Sequence, residues 1–280
     1  MNIILTGIAR SGTTLTCSLL NKLPHCVALH EPMQPAALVD LPFPEAYMAQ
    51  IDSFFSAQRA SLLSTGTAIS MARDGFVPDN PFEIPATISG LRASTVKNQT
   101  VRFEKCLPHD FRLVIKHPNF FTATPSALLS RYPCYAIVRN PLAVLLSWHS
   151  IQAPVNEGRL PYAEAFDADL KANLAAEPDR IGRQLIILRW YYSRYARSLP
   201  RDHVIRYEEI VSSGGRALAV IDPDASGLNE PLANRNTSAI YDASLVGQLT
   251  DRLLADSSIY GDFYDQKEIE CLYQKWMPKN

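Results

Sequence analysis

The sequence predicts an α/β fold, a three-layer arrangement in which a parallel sheet carries helices on both faces. Three observations lead there. The chain opens with an apolar strand, a loop bounded by glycines and a helix-patterned stretch in direct succession, at residues 2–6, 7–12 and 13–22. Further short apolar runs at 25–29, 112–116, 134–139 and 203–207 alternate with segments of helical periodicity. Apolar residues make up 47% of the 280 and charged residues 20%, the balance of a chain that buries a core.

Asn2-Ile3-Ile4-Leu5-Thr6 reads as the first strand, and Gly7-Ile8-Ala9-Arg10-Ser11-Gly12-Thr13-Thr14 as a loop that enters a helix. Such a loop turns its backbone N–H groups toward an anion at a helix N-terminus, where unpaired amides and the helix dipole both favour negative charge. The glycine spacing is that of the nucleotide-triphosphatase loop, but the lysine position of that pattern is Thr13. Without it, the group that reaches the β- and γ-phosphates is missing, and Arg10 is the loop's only cation. The loop therefore suits one phosphate with a transferable group beside it.

The helix at 13–22 ends at Leu23-Pro24, and the next strand stops at His30-Glu31-Pro32. In an open parallel sheet ligands collect outside the carboxyl ends of the strands, so this His-Glu pair is a candidate site. Residues 34–111 read as a substrate-facing insertion or lid. A helix is expected at 46–63, followed by a mixed stretch punctuated by Pro78, Pro81 and Pro85. Strand character returns at 112–116, ending in Lys116 before His117-Pro118, and 124–131 is helical with Pro125 near its first turn.

The run at 134–139 ends in Arg139, and Asn140-Pro141 then supplies an N-cap and a first helical residue. Ser147 lies about two turns into that helix, at 142–150, with Trp148 and His149 beside it. Helices follow at 162–174 and 180–199. The second carries Trp190, Tyr191 and Tyr195 at helical spacing, which reads as core and not as a stacking platform. A last parallel strand at 203–207 and a helix at 243–254 complete one domain spanning 1–280, with no repeat and no linker.

A net charge of −1 argues against a nucleic-acid or membrane-surface partner. Cys17, Cys26, Cys106, Cys134 and Cys271 are odd in number and widely spaced. They read as reduced thiols, without a disulfide framework or metal-ligand spacing. The first residues already read as a core strand, so no signal peptide is expected and the cytoplasm is the expected location.

Three strand ends thus converge: the loop with Arg10, Lys116, and Arg139 with Ser147 eight residues on. Two separate anion sites suit a nucleotide phosphorylated at both ends of its ribose. These residues resemble the sulfotransferases that use 3′-phosphoadenosine 5′-phosphosulfate (PAPS), in the style of the carbohydrate-type and bacterial members. Arg10-Ser11-Gly12-Thr13-Thr14 looks like their 5′-phosphosulfate loop, and Val138-Arg139-Asn140-Pro141 with Ser147 and Trp148 looks like their 3′-phosphate motif. Arg206-Tyr207-Glu208-Glu209-Ile210 is similar to their Tyr-Glu-Asp-Leu segment, so the resemblance spans about residues 2–215.

The resemblance implies that Arg10, Ser11, Gly12, Thr13 and Thr14 hold the 5′-phosphate, that Arg139 and Ser147 hold the 3′-phosphate, and that Tyr207 lies by the adenine. It implies an acid–base residue at Glu31, with His30 the other choice, and places Lys116 with Arg10 at the leaving group. The reaction implied is in-line transfer of sulfuryl to a hydroxyl or amine of a small-molecule or carbohydrate acceptor, with no metal. The family's C-terminal Arg-Lys-Gly segment has no counterpart here. A small-molecule or nucleotide kinase, and a nucleotide-binding module without catalysis, are the other readings of the same scaffold.

Overall fold

The computed structural model describes residues 1–41, 44–82 and 90–277, so Pro85 of the insertion lies outside the described residues. In chain order the regular elements begin with β1 (Asn2–Gly7), α1 (Thr13–Leu20), β2 (Cys26–His30), α2 (Glu45–Thr65), β3 (Thr67–Ala72) and β4 (Lys97–Arg102). Next come β5 (Arg112–Lys116), α3 (Pro118–Ala123), α4 (Pro125–Leu129), β6 (Cys134–Val138) and α5 (Pro141–His149). The chain continues with α6 (Pro161–Phe166), α7 (Ala168–Ala176), α8 (Arg180–Ser198), β7 (Val204–Arg206), α9 (Tyr207–Ser212), α10 (Val246–Leu254) and α11 (Gln266–Gln274).

Five strands form one parallel sheet in the order β2-β5-β1-β6-β7. β1 is central, and β2 and β6 are buried along their whole length, as strands covered on both faces must be. The period-two alternation sends Ile3 and Leu5 to one face, where they meet Leu19 and Leu20 of α1 and Ile210 of α9. Ile4 turns to the other face with Val27, Leu29 and Ile115, against Ile51 and Phe55 of α2 and Phe120 of α3. Ala136 and Val138 of β6 meet Leu145 of α5 and Leu188 of α8 on that side. The expected α/β class, a parallel sheet between two helical layers, is what the chain adopts.

β3 and β4 pair antiparallel as a separate ribbon, which the mixed pattern after residue 64 did not reveal. The ribbon lies at the β2 edge, where Ser70 Oγ accepts a hydrogen bond from His30 N at 2.9 Å. The aromatic side of α8 is core, with Tyr191, Tyr192 and Tyr195 all buried. The expected helix at 162–174 is broken at Asp167, whose Oδ1 accepts from Leu170 N at 2.9 Å and so caps a new helix. The expected strand at 203–207 keeps only three residues, because Tyr207 already starts α9. Cys17, Cys26 and Cys134 are buried, while Cys106 and Cys271 are exposed, and all five are free thiols. Among the described residues, no helix is long and apolar enough to cross a membrane.

Candidate active site

The carboxyl ends of the five parallel strands carry, in sheet order, His30-Glu31, Lys116, the loop after Gly7, Arg139 and Tyr207. With adjacent strands roughly 5 Å apart, these groups lie in a row across one edge of the sheet. The loop occupies its middle.

The loop's shape is fixed by its own polar groups. Ser11 N donates to Ile8 O at 2.9 Å and Ser11 Oγ donates to Ile137 O at 2.7 Å, so Ser11 closes the loop's own turn with one donor and ties the loop to β6 with the other. Trp148 Nε1 donates to Ala9 O at 2.8 Å and holds the other side. Gly12 sits at φ 96°, and a Cβ there would come within 2.7 Å of the Tyr207 ring. No side chain caps α1, so the first-turn amides around Thr13 and Thr14 are offered to whatever anion enters the loop. Arg10 takes φ 72°, a left-handed conformation that a non-glycine residue adopts at a cost and which clusters at functional sites.

On the β6 side, that turn sends the Arg10 side chain toward α5. Its Nε donates to Ser147 Oγ at 3.3 Å, one terminal nitrogen donates to Asn80 Oδ1 at 3.1 Å, and its guanidinium lies 4.6 Å from the Phe82 ring centre. Arg139, 4% exposed, donates to Arg10 O at 3.0 Å, Asn236 Oδ1 at 2.8 Å and Tyr241 Oη at 3.3 Å. Its guanidinium stacks 4.5 Å from the Tyr207 ring centre. Tyr207 Oη accepts from Arg235 N at 3.0 Å, so the ring acts as a spacer between Gly12 and Arg139.

A third arginine, Arg92, reaches the same cluster, and among the described residues none of the three is ion-paired with a carboxylate. Desolvation, with the charges of Arg92 and Arg139, brings Arg10 down to about 9. The Tyr241 hydroxyl is held below its ordinary value, because Arg139, Ser147 and Arg10 outweigh the effect of burial. Against burial, Tyr241 and Tyr207, with the Glu208 carboxylate behind Asn236, hold Arg139 above its ordinary value, so positive charge is concentrated here without a directly ion-paired carboxylate among the described residues.

The β2 side is built differently. Lys116, whose side chain is 3% exposed, donates to Glu31 Oε1 at 2.6 Å and reaches Thr14 Oγ1 at 3.4 Å. Glu31 is at φ 43° and its N–H donates to Lys116 O at 2.8 Å, so backbone and side chain join the same two strand ends. His30 Nε2 lies 3.3 Å from the same carboxylate oxygen, and its Nδ1 is without a partner among the described residues. Burial pushes the Glu31 carboxyl up, but Lys116, His30 and His117 outweigh it and hold the group well below the usual carboxylate range. Burial, with the charge of Lys116, lowers His30, so its imidazole is neutral near pH 7. Burial also takes His117 down to about 3. Its Nε2 accepts from Met33 N at 3.1 Å, a structural role.

Protein-family models and curated proteins yield no match to this chain. Among solved structures, a sulfotransferase from Alicyclobacillus acidocaldarius aligns over 96% of this chain and 98% of its own, at 15% identity and a TM-score of 0.47. A sulfotransferase from Mycobacterium avium aligns over 98% of this chain and 75% of its own, at 14% identity and a TM-score of 0.36. The sulfotransferase domain of the Synechococcus olefin synthase covers 99% and 86%, at 17% identity and a TM-score of 0.35.

The structure brings all the sequence-derived candidates to one edge of the sheet and adds others. Asn236 and Tyr241 come to Arg139 from 97 and 102 residues away, in an irregular segment without periodicity to mark it. Glu208 carries a signal in the Tyr207-Glu208-Glu209 run. It buttresses the site by accepting from Asn140 N at 3.0 Å, Asn236 Nδ2 at 2.8 Å and Tyr264 Oη at 2.8 Å. Asn80, Phe82 and Arg92 come from the connection between β3 and β4, where sequence pattern gave no placement.

Proposed function

We propose that this chain is a PAPS-dependent sulfotransferase that moves a sulfuryl group to an acceptor hydroxyl or amine and releases 3′,5′-adenosine bisphosphate. The observation that carries this reading is the pair of anion sites: an uncapped helix start, and beside it the buried Arg139 cluster, in which none of the arginines is ion-paired with a carboxylate among the described residues. A donor with a 5′-phosphosulfate and a 3′-phosphate matches both. The fit is tested by the cradle itself, since a side chain at Gly12 would strike Tyr207, and by buried cations that lack counter-ions. Such a donor supplies an activated sulfuryl group, and the protein's part is alignment and charge stabilisation.

In this reading the amides of 12–14 with the Thr13 and Thr14 hydroxyls hold the 5′-phosphate, and Ser11 keeps their loop in shape. Arg139, Ser147, Asn236 and Tyr241 hold the 3′-phosphate, with Tyr207 packed beneath. Lys116 lies between the loop and Glu31, within reach of both. Turning its ammonium to the leaving phosphate oxygen removes the charge that depresses Glu31 and leaves that carboxylate free to accept a proton. The acceptor's proton passes to Glu31, its oxygen or nitrogen bonds to sulfur, and the bond from sulfur to the phosphate oxygen breaks. The electron pair stays on that oxygen, facing Lys116, while the Arg10 side chain points away toward Ser147 and Asn80.

Glu31 suits the base role better than His30, because its side chain is 40% exposed and that of His30 only 4%. His30 then orients the carboxylate. The insertion of 34–111 supports an acceptor-facing role, since Asn98 Nδ2 of its ribbon donates to Pro32 O at 3.3 Å beside Glu31. We take the acceptor to be a small molecule or carbohydrate, and the site of action to be the cytoplasm.

The test is consumption of PAPS in the presence of a chelator, against a panel of phenols, sugars and amines. Bisphosphate release that depends on an acceptor and is abolished in Glu31→Gln supports the reading. Transfer from ATP that requires Mg²⁺, with PAPS inert, replaces it with a kinase.

A further inference from the structure

Arg92 stands in none of the sequence motifs and belongs to the insertion, not to the sheet. Its backbone is stitched to the end of α5, with Arg92 N donating to Ser150 O at 3.1 Å and Arg92 O accepting from Gln152 N at 2.9 Å. One terminal nitrogen donates to Ser150 Oγ at 2.7 Å. Ser150 Oγ in turn donates to Ser147 O at 2.8 Å, which links Arg92 to the serine that receives Arg10.

The residue is only 3% exposed, yet its Nε–H has no acceptor among the described residues. A guanidinium buried in this way is costly unless an anion completes it. The neighbours make matters worse, because Arg139 adds to burial in lowering Arg92 and Arg92 adds to burial in lowering Arg10. Three cations that repel one another are held together by neutral hydrogen-bond partners, Ser147, Asn80, Ser150, Asn236 and Tyr241. A phosphate monoester, close to a dianion near neutral pH, offsets that repulsion where a single charge does so only in part.

We propose that Arg92, from the connection between β3 and β4, is a further ligand of the nucleotide's 3′-phosphate; the inference rests on the donor reading above. The ligand is the ribose 3′-phosphate monoester, held between Arg92, anchored at the C-terminal end of α5, and Arg139, which precedes its first turn. The insertion that faces the acceptor thereby also contacts the donor.

The experiment is calorimetric titration of the full chain with 3′,5′-adenosine bisphosphate and with 5′-AMP, for wild type, Arg92→Gln and Arg92→Lys. Wild type prefers the bisphosphate. Arg92→Gln weakens binding of the bisphosphate by at least about tenfold, about 1.4 kcal/mol, and leaves 5′-AMP within about twofold. Arg92→Lys keeps the charge but cannot fork between Ser150 and a phosphate, and loses preference by at least about threefold.

Equal loss for both ligands makes Arg92 a clamp between insertion and α5, and overturns the proposal. An unchanged preference in Arg92→Gln also overturns it, while leaving the donor reading intact. Should Arg92→Gln not fold, an unchanged preference in Arg92→Lys is equally decisive against it. A wild type without preference for the bisphosphate overturns the donor reading and this inference with it.

Discussion

At the β2 side of the sheet edge Lys116, Glu31 and His30 satisfy one another, whereas at the β6 side Arg10, Arg92 and Arg139 have hydroxyls, amides and aromatic rings around them but, among the described residues, no directly ion-paired carboxylate. Lys116 and His30 are as buried as Arg92 and Arg139, while the Glu31 side chain is 40% exposed, so the difference is one of chemistry and not of burial alone. A compensated cluster is stable without a ligand and must break a bond to act. An uncompensated one is ready to bind and is completed by the ligand's own charge. The first arrangement suits a reacting centre and the second a binding site, with the loop between them in contact with each through Thr14 and Arg10.

Glu31→Gln breaks the comparison most severely. It removes the proposed proton acceptor while leaving the β6 cluster untouched. The expected outcome is a loss of about 10²- to 10⁴-fold in kcat with bisphosphate affinity nearly unchanged, measured by steady-state kinetics and titration. Equal loss of affinity and rate would mean that Glu31 only shapes the site.

Lys116→Met is next, at about 10²- to 10³-fold in kcat, since it removes a charge from the leaving oxygen. It carries a pH signature as well. Glu31 is depressed chiefly by Lys116 acting against burial, so without that charge the carboxyl rises and the acid limb of the rate profile moves to higher pH. A limb that stays in place or moves down contradicts the assigned coupling.

Arg139→Ala sharpens the other half. It should weaken 3′,5′-adenosine bisphosphate by about tenfold to a hundredfold, the worth of one or two charged hydrogen bonds, and 5′-AMP far less. Parallel losses for both nucleotides would show that Arg139 supports the loop through its bond to Arg10 O instead of reading the 3′-phosphate.

The smallest effect is on stability. Because Glu31 is depressed in the fold, its contribution is fully present above the unfolded carboxylate value of about 4.3 and is lost as pH falls from there through the folded value. Glu31→Gln should flatten that part of the curve of melting temperature against pH. An unchanged slope would show that the pair contributes nothing net, as exposed pairs often do.

The parts of this arrangement legible in the sequence are those coded locally. Strand ends, the loop and the Asn140 cap each lie within a few residues of a charge, a glycine or a proline, and the structure puts Asn140 Oδ1 3.1 Å from the Leu142 N–H that it caps. Lys116 and Glu31 could be nominated from their strand ends, but their bond could not, because it depends on β2 and β5 being neighbours. The helix Gln266–Gln274 went unread although Asp265 and Glu268 form a capping box. Asn236, Tyr241 and Arg92 had no such local signal, since each is placed by tertiary packing of irregular chain. The β3–β4 ribbon was obscured by the 24 residues between its strands, Arg73 to Val96.

In the proposed function the loop and the Arg139 cluster together bind a nucleotide carrying phosphates at both ends of its ribose. Thermal stabilisation of the full chain by 3′,5′-adenosine bisphosphate, compared with 5′-AMP and with ATP–Mg²⁺, tests it most directly, because a ligand that binds only the native state raises its melting temperature. The account predicts the largest rise with the bisphosphate, and a rise reduced to that of 5′-AMP in Arg139→Ala. A rise with ATP–Mg²⁺ alone, undiminished in Arg139→Ala, would contradict it.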